Sequence, residues 1–98
     1  MGKVMTTLKL LDVVANLKSY DENLTIYVTE PWTCDSEAVL ALEPDEGGLP
    51  DEAKARGAEY FIEVFVATEF LDGFIETLGP KSAQEQCERL VHYALHDS

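Results

Sequence analysis

The sequence predicts an α+β fold: a small three-stranded, mostly antiparallel sheet with an N-terminal helix and two C-terminal helices. Three observations carry that prediction. Ninety-eight residues make one domain, residues 1–98, with material for a single modest core. The chain is 46% hydrophobic and 9% aromatic, too apolar for a disordered polymer. Segments of period two, LTIYVT and AEYFIEVFVA, stand beside segments of helical spacing.

Taken in order, Thr6 or Thr7 is placed to cap a first helix, in which Leu10, Val13, Val14 and Leu17 share one face. The polar cluster SYDEN stops it at residues 19–23. LTIYVT then reads as a strand with Leu24, Ile26 and Val28 on one side, ended by Pro31, which cannot donate to a ladder. SEAVLALE is a second strand, closed by Pro44, and a hairpin joins the two. Pro50 to Ala55 suits one helical turn, with Pro50 at its first position and Gly57 past its end. AEYFIEVFVA, residues 58–67, reads as a third strand, apolar on both faces and therefore central in the sheet. Thr68 caps the next helix, whose stripe is Phe70, Leu71, Phe74, Ile75 and Leu78, with Gly79-Pro80 as its stop. Ser82 and Glu85 form a capping box that opens the last helix, with Cys87, Leu90, Val91 and Ala94 inward. The expected order is α-β-β-(short helix)-β-α-α.

Charge narrows the function. Nineteen acidic residues face seven basic ones, a net of −12. Residues 21–80 hold 15 of the carboxylates against Lys54 and Arg56 alone, a net of −13, so the acidity belongs to the middle of the chain. Such a field repels nucleic acid and anionic membranes and attracts cationic partners. No apolar run approaches the roughly 18 residues of a membrane span. The start, MGKVMTTLKLLDVV, reads as a helix and not a signal peptide, because Asp12 interrupts the apolar part and no small-residue cleavage site follows. Two cysteines without an export signal point to reduced thiols in a cytoplasm.

Few residues carry a chemical signature. Cys34 is an accessible loop cysteine, but Glu30, Asp35 and Glu37 surround it, and negative charge disfavours the thiolate that a nucleophile needs. Cys87 lies on an apolar stripe and reads as a core residue. Glu88, His92 and His96 fall at i, i+4 and i+8 and are the weak metal candidates, short of the ligand count of a zinc site. Glu63 sits between Phe61 and Phe65; buried it would be a candidate acid or base, and the open side of the sheet is the expected place for it. The acidic segment PDEGGLPDE lacks the ligand spacing of an EF-hand. No phosphate-binding glycine loop, serine-nucleophile motif or basic aromatic patch is present, and no catalytic residue or cofactor is assigned. Trp32 either folds back over the end of the sheet or stands as an anchor for a partner.

PWTCDSEAVL and CERLVHYALHD resemble segments of a small bacterial family without an assigned function. In size, acidity and helix-first order the chain as a whole resembles the small cytoplasmic immunity proteins that neutralise bacterial toxins. Neither resemblance brings a catalytic motif. The expectation is a non-enzymatic, acidic, protein-binding module that masks a basic, nucleic-acid-binding surface. Glu30, Trp32, Asp35, Glu37, Glu43, Asp45 and Glu46 are its partner-binding residues. The alternatives are a metal-binding protein or small enzyme using Glu63 or the Glu88/His92/His96 stripe, and a structural domain whose acidity serves solubility, as a monomer or homodimer.

Overall fold

Thr25–Thr29 consists of β-branched residues around one tyrosine, a composition suited to a strand covered on both faces. In the computed structural model, which describes residues 8–97, this segment is one of the two inner strands of a sheet. The elements are β1 (Leu8–Lys9), α1 (Leu10–Ala15), a 3-10 turn (Leu17–Ser19), β2 (Thr25–Thr29), β3 (Glu37–Ala41), α2 (Asp51–Arg56), β4 (Ala58–Glu63), α3 (Val64–Leu78) and α4 (Ala83–Asp97). The sheet has four strands in the order β1-β3-β2-β4, antiparallel at every pairing. The α+β class is therefore right. The three-stranded sheet and the helix-first order are not, because β1 is a two-residue strand too short to show a period. Thr6 and Thr7 lie outside the described residues.

The alternation of β2 divides the molecule into two layers. Ile26 and Val28 face the main core, where α1, α3 and α4 contribute Leu10, Val13, Leu71, Cys87 and Leu90. Tyr27 faces the other way, into a small cluster with Val39, Ala53 and Ala58 beneath α2. The hairpin of β2 and β3 is as expected, in the register Val28↔Ala38 to Thr25↔Ala41. Helix α2 also falls where Pro50 and Gly57 place it. Pro50 is the cap itself and not the first helical residue, and Gly57 takes the left-handed conformation (φ 70°) that a side chain disfavours. The capping box of α4 is present: the Glu85 N–H donates to the Ser82 hydroxyl at 3.1 Å, and the Ser82 N–H donates to the Glu85 carboxylate at 3.3 Å.

The third predicted strand departs most from expectation. It ends at Glu63, and residues 64–67 begin α3 instead. The four residues VFVA satisfy either period; as helix, Val64, Ala67 and Leu71 all reach the core. Thr68 is thus inside the helix and donates back to the Val64 carbonyl at 2.9 Å rather than capping. Strand β4 lies at the edge of the sheet and not in its centre. Its apolar second face has a local cause: the register slips between Ile26↔Ile62 and Tyr27↔Tyr60, so Phe61 is an inserted residue. This bulge turns both Phe61 and Ile62 into the main core. Among the described residues no helix is long and apolar enough to cross a membrane.

Candidate functional site

The loop between β2 and β3 is short, polar and closely tied. Ser36 is its hub: the hydroxyl donates to the Pro31 carbonyl at 2.7 Å and accepts from the Thr33 N–H at 2.9 Å. The Asp35 N–H donates to the Thr33 hydroxyl at 3.2 Å. The loop also serves α1, whose first N–H groups have no intrahelical acceptor and no side-chain cap. Leu10 N–H donates to the Ser36 carbonyl at 2.9 Å and Leu11 N–H to the Cys34 carbonyl at 3.0 Å. A helix end that would otherwise be unsatisfied thereby holds the loop against the core.

Trp32 resolves towards the core. Its indole N–H donates to the Val28 carbonyl at 3.1 Å, and its ring meets Phe61 edge-on at 5.0 Å between centroids. It is half-buried, so one part is fixed and another remains open. The open part borders a cleft of about 330 Å³ between the loop and α4, lined by Trp32, Thr33, Cys34, Asp35, Gln84, Glu88 and Val91. This lining includes two carboxylates and no basic residue. Gln84, Glu88 and Val91 fall at i, i+4 and i+7, so helical period alone would have put them on one stripe. No signal in the sequence placed that stripe beside residues 32–35.

The seven predicted partner-binding residues fall into two groups in the fold. Glu30, Trp32, Asp35 and Glu37 lie at the Trp32 end of β3, whereas Glu43, Asp45 and Glu46 follow its other end. Residues 38–42 lie between Glu37 and Glu43, which sets the two groups up to about 20 Å apart along the strand direction. Within the first group Glu37 is engaged: Arg56 of α2 comes within 3.8 Å of its carboxylate.

Glu43 belongs to a different neighbourhood. With Glu63, which is half-buried beside Thr25, it surrounds Tyr27 and Tyr60, whose rings meet edge-on at 6.4 Å. Burial first, and then the charges of Glu43 and Glu63, raise the Tyr27 hydroxyl above its ordinary pKa, with the nearby Thr25 hydroxyl acting in the opposite sense. Burial, Glu63 and Glu43 likewise raise Tyr60. The Tyr27 hydroxyl is buried and has no hydrogen-bond partner of good geometry.

Cys34 is buried at 9% exposure, a correction to its reading as an accessible loop thiol. The loop backbone bends inward at that residue to serve α1, and the side chain enters the main core. There it meets Cys87. Burial, followed by the hydrogen bond to Cys34 and the charges of Cys34, Glu88 and Asp35, pushes the Cys87 thiol up. On α4, Glu88 accepts from the Gln84 amide at 2.9 Å, and the exposed His92 and His96 rings lie 4.4 Å apart. Among the described residues no group of three or more His, Cys, Asp or Glu side chains is arranged to hold a metal ion. No family model matches the chain, and neither a curated protein nor a solved structure matches it.

Proposed function

We propose that this is a non-enzymatic, acidic binding protein of the immunity or inhibitor kind, acting in a cytoplasm by covering a basic, nucleic-acid-binding surface of a partner protein. The observation that carries the reading is the Trp32 cleft. A half-buried indole, held by its own N–H, shares the cleft lining with Asp35 and Glu88, and that lining has no basic residue. An aromatic anchor fixed in advance loses little freedom on binding, and flanking carboxylates recognise a lysine or arginine inserted beside it. The net charge of −12 adds long-range steering, which salt screens.

The test is retention of host proteins on the immobilised protein at about 50 mM and about 300 mM salt, where screening differs strongly. A basic protein should bind at low salt, elute at high salt and lose its own nucleic-acid binding while held. The doubly neutralised variant Asp35→Asn with Glu88→Gln should retain at least tenfold less. Binding that neither salt nor this variant weakens would sink the proposal.

A further inference from the structure

Cys34 and Cys87 come from opposite halves of the sequence and meet in the fold. One lies in the β2–β3 loop and the other on the inner side of α4, and both belong to the same buried cluster. Both side chains are buried in that cluster, and each thiol lies within electrostatic reach of the other. Gln84 and Glu88, which flank Cys87 on α4, line the same cleft as Cys34 and Trp32, so the pair forms the seam between the two cleft walls. Both are free thiols in the reduced protein.

We propose that Cys34 and Cys87 are an oxidisable dithiol whose disulfide staples the Trp32 loop to α4. The oxidant is a small soluble disulfide of the glutathione class. Cys34 is 9% exposed beside the cleft and Cys87 is fully buried, so Cys34 reacts first. Its thiolate attacks one sulfur of the oxidant. A mixed disulfide forms, and one glutathione thiolate leaves and takes up the proton that Cys34 gave up. Cys87 then loses its proton and attacks the Cys34 sulfur, releasing the second glutathione. Two protein thiols are oxidised and one glutathione disulfide is reduced to two thiols.

The surroundings make this bond slow to form and hard to reverse. Burial above all, with the charges of Glu88 and Asp35 behind it, disfavours the Cys87 thiolate and slows the second attack, but none of these acts in that way on an uncharged disulfide. An easily reduced disulfide owes its lability to a stabilised thiolate product. Cys87 has the opposite environment, so the couple suits a lasting fastening and not a rapid sensor. The closed loop spans more than half of the chain, and a cross-link of that length restricts the unfolded state strongly. The inference stands whether or not a basic partner occupies the cleft, because its measurements need no partner.

The folded wild-type protein is incubated with oxidised glutathione and followed by intact mass, free-thiol count and thermal melting. The expected product is a monomer with both thiols gone and no glutathione attached, melting higher by about 10 °C or more and returning to the starting value with dithiothreitol. Cys87→Ala should stop at one glutathione adduct, and Cys34→Ser should not react while folded. A wild-type adduct that never closes, covalent dimers, or an oxidised monomer that melts no higher than the reduced one would each overturn the proposal.

Discussion

Two acidic loops bracket β3, and they are built in opposite ways. The loop of residues 30–36 is bound through Ser36, through the Trp32 indole and through the first amides of α1, and its side chains reach the main core. In the loop of residues 42–50, Gly47 N–H donates to the Pro44 carbonyl at 2.9 Å, while Gly47 and Gly48 take positive φ in open space. Leu42 stands 64% exposed at its start. Charge of the same sign therefore has unequal consequences. Carboxylates on the anchored loop have a defined geometry with a hydrophobic neighbour, as contact requires. Those on the open loop can attract a partner from a distance but have nothing rigid to present it with.

The anchored loop is most vulnerable at Phe61, whose ring meets that of Trp32 edge-on. Phe61→Ala should cost about 3–5 kcal/mol and lower the melting temperature by more than about 12 °C, read by denaturant and thermal unfolding. No substitution in residues 42–48 should approach that loss. Next in size, Ser36→Ala removes the hub of the anchored loop and should cost about 1–3 kcal/mol. Its counterpart in the open loop, Gly47→Ala, meets no atoms, yet it should cost about 1 kcal/mol because φ is 83° there.

A finer test separates steering from contact. Replacing Glu43, Asp45 and Glu46 together by amides should leave stability within about 0.5 kcal/mol, since all three are exposed. In stopped-flow association with the partner, that triple variant should mainly slow the on-rate and flatten its salt dependence. Asp35→Asn should instead mainly raise the off-rate. If the two variants behave alike, the two loops are not functionally distinct.

The smallest effect concerns Tyr27. Tyr27→Phe removes a buried hydroxyl without a well-placed partner, so stability at neutral pH should change by less than about 0.5 kcal/mol or rise slightly. Alkaline stability carries the clearer signature. Tyr27 and Tyr60 are raised above 10.0 in the folded state, so the unfolded chain ionises first. Their contribution is intact below about 10 and is lost as the pH climbs from there through the folded-state values. Tyr27→Phe should reduce that alkaline loss, measured as the denaturation midpoint against pH.

Features governed by neighbours in the chain were legible in the sequence. The β2–β3 hairpin, the capping box at Ser82 and the short helix closed by Gly57 each depend on a few adjacent residues whose backbone preferences agree. The middle-chain acidity is likewise a property of composition. What required the tertiary structure were choices between equal local options. Residues 64–67 suit strand and helix alike, and only the helix brings Val64 and Ala67 to the core with Leu71. The bulge at Phe61, the edge position of β4 and the pairing of β1 with β3 depend on partners distant in sequence. So does the meeting of Cys34 with Cys87, and of the Trp32 loop with the Gln84/Glu88 stripe. A one-dimensional pattern says which residues want to be buried; the shared core decides which of them are buried together.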